Sequence, residues 1–174
     1  METAGRPTDA SSLIYLAKAE AFEPVRACVG RLVVPPSVWR ESVAAGERMG
    51  AFEVARIRLA QEDGIVKRVE LSERFGVRAR EIAARYLLGS GESEVLALGR
   101  RGERVIVDEG RATRVAESLG LMPASTLFLP VLGATGGRLD ATSALDLLHR
   151  LAVVTGARAD VTLRLERVLR RHAR

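Results

Sequence analysis

The sequence predicts an α/β sandwich carrying a helical C-terminal appendage. Apolar runs bounded by Gly and Pro alternate with amphipathic segments, the pattern of strands buried between helices. The clearest run, residues 104–107 behind Gly102, is β-branched, and a second at 31–34 is closed by Pro35 and Pro36. From Ser125 onward the periodicity is helical, broken at residues 133–137 and at Gly156.

Each element follows from its residues. A helix is predicted over 11–22, with Leu13, Leu16 and Ala17 along one face and Asp9 near its start. A short helix over 23–29 is stopped by Gly30, and the strand at 31–34 follows. Pro at a first turn suits the next helix, 37–45. Another is predicted over 49–61, with Phe52, Ala55, Ile57 and Leu59 as its apolar side chains. Residues 65–71 alternate apolar and charged, as a half-exposed strand does. Helices at 77–88 and from Glu92 are separated by Gly89, Ser90 and Gly91. After the strand at 104–107, a helix over 110–119 ends at Gly120, and 121–123 reads as a short last strand.

Composition bounds the function. The 47% apolar content supports a real core, and 28% charged residues argue against disorder. No apolar stretch approaches the ~20 residues of a membrane span, and residues 1–6 lack the apolar core of a signal peptide. Cys28 stands alone, which suits a reducing compartment, so a cytoplasmic protein is expected. The net charge of +5 makes a polyanionic partner plausible, although an excess of arginine (Lys18 and Lys67 are the only lysines) also follows from base composition. At 4% aromatic residues, stacking platforms are scarce, and contact with nucleic acid would run through its backbone.

Carboxylates cluster where the apolar runs end: Asp9, Glu41, Glu92 with Glu94, and Asp108 with Glu109. Open α/β sheets bind ligands at strand ends, and acids converging there repel unless a cation joins them. Oxygen ligands alone favour Mg²⁺ or Mn²⁺. Structural readings stand beside this one. Asp9 is a good N-cap, Glu41 can be a solvated helix residue, and Glu92 and Glu94 suit a helix N-terminus. Those two lie about 200° apart on an ideal helix, so one direct ligand is expected from the pair. Ser11 can hold a carboxylate oxygen or a water near the ion. His149 and His172 have no Cys partner for zinc, and no phosphate-binding Gly-rich motif follows a strand. Trp39 reads as a packing residue.

Four strings in order resemble PIN-domain proteins, in particular the prokaryotic branch that holds VapC-like toxins. They are Asp9-Ala10-Ser11-Ser12-Leu13-Ile14, Val34-Pro35-Pro36-Ser37 through Glu41, Gly91-Glu92-Ser93-Glu94-Val95, and Val105-Ile106-Val107-Asp108-Glu109. The resemblance implies a three-layer α/β/α sandwich around a central, mainly parallel sheet. Residues 1–135 would form the PIN-like domain and 136–174 a helical extension packed on it. It also implies a Mg²⁺- or Mn²⁺-dependent endoribonuclease, with Asp9, Glu41, Glu92 and Asp108 catalytic and Glu94 and Glu109 as further metal ligands. RNA is then the substrate, a cognate antitoxin a partner, and a homodimer the expected assembly. The first strand, over residues 2–8, is polar and contains Pro7, which predicts either a short strand or a different start to the chain. That strand and Glu109 motivate the alternative, a PIN-like binding or regulatory protein without turnover. A third reading keeps the metal chemistry but takes DNA as the substrate. Residues 158–174 carry six arginines along an amphipathic helix, with Val161, Leu165, Val168 and Leu169 packed, and the arginines either solvated or touching RNA or antitoxin.

Overall fold

The computed structural model describes residues 5–108 and 110–172. Five short strands, β1 (Arg6–Pro7), β2 (Leu32–Val34), β3 (Val66–Arg68), β4 (Arg104–Ile106) and β5 (Met122–Ala124), all pair in parallel. A parallel bridge between Thr8 and Ile106 joins the two groups, so the strands run β3-β2-β1-β4-β5. Leu32, Val33 and Val34 are all fully buried. Successive strand residues face opposite sides, so helices must cover both faces of the sheet. The chain is α/β with a parallel central sheet, as its pattern predicts.

The first strand is short for a visible reason. Arg6 and Thr8 donate their N–H groups to Arg31 and Val33, while Asp9 donates to Ile106. Alternation therefore turns the nitrogen of Pro7 toward β4, where it has no hydrogen to give. The β1–β2 ladder survives, and β1–β4 pairing shrinks to the single bridge at Thr8.

Between β1 and β2 lie α1 (Ala10–Lys18) and α2 (Phe22–Val29), the latter closed by Gly30 at φ 82°. After β2 the chain forms α3 (Pro36–Trp39), a π-helical turn (Arg40–Ala44) and α4 (Ala45–Arg48), and α5 (Glu53–Glu62) leads to β3. The helix predicted over 49–61 thus starts later, after a turn at Gly50 with φ 67°. Its buried face is Val54, Ile57 and Ala60, so of the apolar side chains Ile57 is buried while Phe52 is 61% and Leu59 57% exposed.

Next come α6 (Glu73–Tyr86), packed along α7 (Ser90–Leu98), and then α8 (Gly110–Ser118) between β4 and β5. A 3-10 turn (Thr126–Phe128) follows β5 and leads into α9 (Leu129–Thr135), α10 (Ala141–Thr155) and α11 (Ala159–His172). Here α10 packs on α1, α9 and α11, and buries Leu147, Leu148 and Leu151 completely. On α11 the buried anchor is Leu169, with Leu165 and Val168 half-buried, whereas Val161 stays exposed rather than packed. Among the described residues, no helix is long and apolar enough to cross a membrane.

Candidate functional site

The chain builds β1, β2 and β3 outward in one direction and then returns to add β4 and β5 on the other side. The reversal falls between β1 and β4, and in open parallel sheets a crevice opens at that point, beyond the carboxyl ends of the strands. Asp9 sits just past β1 and Asp108 just past β4.

The two aspartates are tied directly. Asp9 Oδ2 accepts the backbone N–H of Asp108 at 3.0 Å, and its Oδ1 accepts the N–H of Ser12 at 2.7 Å. Asp9 is therefore the N-cap of α1 and a wall of the crevice at once, so its structural and functional readings coexist. Only 3% exposed, its carboxyl is pushed up to about 6. Burial is the main cause, the hydrogen bonds from Ser12 and Asp108 oppose it, and the Asp108 charge adds to it. Asp108 in turn accepts from Ser12 Oγ at 2.9 Å, from the Thr126 N–H at 2.9 Å, and from the Thr126 hydroxyl.

Glu41 arrives from the helix after β2. It lies in the π-helical turn, where the N–H of Ala45 reaches back to the carbonyl of Arg40, and such turns recur at functional sites. Glu41 meets α7 at Gly91, whose backbone N–H it accepts. A Cβ at Gly91 would stand 2.8 Å from Glu41 Oε2, so glycine makes this approach possible. Desolvation raises the pKa of Glu41, Arg40 opposes the rise, and the charges of Glu94 and Glu92 reinforce it.

Asp9, Ala10, Ser11, Glu41, Gly89, Gly91 and Glu92 enclose one cavity of about 280 Å³. Glu92 bends back to accept the Gly89 N–H at 2.9 Å, which caps α7. Glu94 turns elsewhere. Its carboxylate accepts the Ser37 N–H at 2.8 Å and the Ser37 hydroxyl at 2.6 Å, and so fastens the start of α3. Ser37 Oγ also accepts from Arg40 Nη2 at 2.6 Å, which pins an exposed guanidinium beside Glu41. Glu109 lies outside the described residues. Trp39 is mostly buried under Arg68, and His149 pairs with Glu166 at 2.8 Å, away from the cavity.

Sequence reasoning did not single out Ser12, Ser37, Arg40, Gly91 or Thr126 as site residues. Gly91 stands beside Glu92, but its contact with Glu41 crosses the fold, and no local pattern marks it.

A family model described as a PIN domain matches residues 8–172. The chain belongs to the PIN-domain family. Comparisons with curated proteins and with solved structures returned no match. PIN domains are generally nucleases and generally use divalent metal ions. The donor chemistry of this PIN cavity fits such an ion. Its acids offer oxygen only, and among the described residues each carboxylate oxygen of Asp9 accepts one hydrogen bond and keeps one lone pair. Among the described residues, however, no three acids converge closely enough to hold one ion as they stand. Among the described residues, the half-exposed Glu92 and the exposed Glu41 are the cavity acids whose long side chains could turn toward Asp9.

Proposed function

We propose that this PIN domain is a divalent-metal-dependent endoribonuclease, the toxin of a type II toxin–antitoxin pair. The observation that carries the nuclease reading is the shared cavity: Asp9, Glu41 and Glu92 line it from three separate elements, and the backbone of Asp108 is bonded to Asp9. Asp9, Glu41, Glu92 and Asp108 would hold Mg²⁺ or Mn²⁺, with Glu109 a further donor. Glu94 would support them by fixing α3. The ion, once bound, supplies charge stabilisation at the phosphodiester and makes water a better nucleophile. The chain's own part is to gather the carboxylates in a partly desolvated cavity and to place Arg40 at its edge, where a guanidinium can hold a flanking phosphate.

RNA as the substrate, the antitoxin and a homodimer rest on the resemblance of the motif strings. An antitoxin segment that fills this cavity would present basic side chains to it. The deciding experiment is Asp9→Asn, which removes one charge at nearly constant volume. Cleavage of an RNA oligonucleotide in Mn²⁺ should fall at least ~100-fold while the circular dichroism spectrum is kept. Cleavage at the parent rate would end the metal-site assignment. A DNA oligonucleotide of the same sequence tests the substrate class.

The lack of three converging acids among the described residues favours a second reading, a PIN domain that binds nucleic acid without turnover. Calorimetric titration separates the two, because a scaffold without turnover takes up no Mn²⁺ at millimolar concentration.

A further inference from the structure

Thr126 is fully buried, and both of its polar groups are directed at one carboxylate. Its N–H donates to Asp108 Oδ1 at 2.9 Å and its hydroxyl to Oδ2. The geometry has a local origin. Ser125 is extended (φ −75°, ψ 155°), so the 3-10 turn that follows β5 begins with a free N–H aimed back across the ends of the strands. Ser12, also fully buried, approaches from the other side. Its hydroxyl donates to Asp108 Oδ2 at 2.9 Å and its N–H to Asp9 Oδ1 at 2.7 Å. Asp9, Ser12 and Thr126 are buried and Asp108 is half-buried, and together they form one network drawn from three places in the fold: the start of α1, the end of β4 and the end of β5.

We infer that Thr126, assisted by Ser12, is a positioning residue that fixes Asp108 for metal binding. This rests on the nuclease reading above. Two hydroxyl donors occupy both lone pairs of Oδ2, and the Thr126 N–H occupies one on Oδ1. Counting donors among the described residues, Asp108 is left with one free acceptor position, on Oδ1, so it offers an ion one oxygen in a fixed direction. That suits a small octahedral ion, which takes single oxygens at strict angles, better than one that prefers two oxygens of the same carboxylate. Groups that orient metal ligands in this way typically change metal affinity 10–100-fold when removed.

Calorimetric titration of the full chain with MnCl₂ tests this, with thermal melting run on every variant. Thr126→Val keeps shape and removes the hydroxyl, and it should bind Mn²⁺ about 10–100-fold more weakly. Thr126→Ser restores the donor and should bind within about threefold of the parent, a rescue that a purely space-filling role would not show. A folded Thr126→Val that binds Mn²⁺ like the parent overturns the inference and leaves the nuclease reading intact. Should the valine variant fail to fold, Ser12→Ala decides: a loss of about tenfold or more supports the clamp, and parental affinity overturns it. No Mn²⁺ uptake by the parent chain overturns the nuclease reading and the clamp together.

Discussion

The backbone N–H of Asp108 donates to Asp9 Oδ2 across 3.0 Å, joining residues 99 positions apart in the chain. The carboxylate of Asp9 is thereby tied to the start of the segment that carries Asp108, and the link is a main-chain group that no substitution at position 108 other than proline removes. The bond partly offsets burial at Asp9 but does not cancel it, and a measurable pH dependence follows.

Asp9 holds its proton up to about pH 6 in the folded chain, against an ordinary value of 3.8. As pH rises from about 4 to about 6, the unfolded chain releases this proton first. The folded state then loses stability relative to it, on the order of 3 kcal/mol in all, and above 6 the loss is constant. Asp9→Asn has no such proton. With a chelator present, the melting temperature of the parent minus that of the variant should fall between pH 4 and 6 and level off by 7. Parallel curves would mean that the carboxyl is better solvated than its burial indicates.

Gly91→Ala should separate activity from stability. The new methyl meets Glu41 Oε2 at 2.8 Å and Oε1 at 3.1 Å, the far end of a flexible side chain. The carboxylate can swing away, so the fold should change by less than ~1 kcal/mol, and alanine is the better helix former. A displaced carboxylate costs more in catalysis, where a 1 Å error can lower the rate ~100-fold. The expected outcome is an unchanged melting temperature with cleavage lowered about 10–100-fold. Full activity in the alanine variant would remove Glu41 from the site.

Arg40 should contact the substrate. Its guanidinium is exposed yet pinned to Ser37 Oγ at 2.6 Å, beside Glu41. In an Asp9→Asn background, which is expected to bind without cutting, Arg40→Ala should reduce the salt slope of single-stranded RNA affinity by about 0.7, the value of one phosphate contact. An unchanged slope would restrict Arg40 to neutralising the nearby glutamates.

The ends of the apolar runs were legible because a strand that finishes in a crevice must present its next polar residue there. Asp108 follows from that alone, whereas Asp9, which comes after a polar strand, was legible from the helix it caps and the motif string it opens, and the α/β class from apolar runs alternating with amphipathic segments. The π-helical turn at Glu41 was not legible, since a bond from the Ala45 N–H to the Arg40 carbonyl leaves no compositional trace. Neither was the Ser37–Glu94 pairing, which spans 57 residues, nor Thr126, whose partner is set by where β5 ends. That Ile57 is buried while Phe52 and Leu59 are exposed was not legible either, because the face a helix buries depends on what it packs against. Apolar content does not reveal that.

The C-terminal helices should melt with the sheet. Leu169 of α11 is fully buried, and α11 packs on α9 and α10, which carries Leu147, Leu148 and Leu151 into the same core. Leu169→Ala should cost about 2–5 kcal/mol, the range for a leucine lost from a close-packed interior. Leu163, half exposed on the same helix, should cost within ~0.5 kcal/mol when replaced by alanine. Calorimetry should show one transition for both variants, shifted well down for Leu169→Ala alone. A second transition appearing in Leu169→Ala would mean that residues 136–174 unfold as a separate unit rather than as an extension packed on the domain.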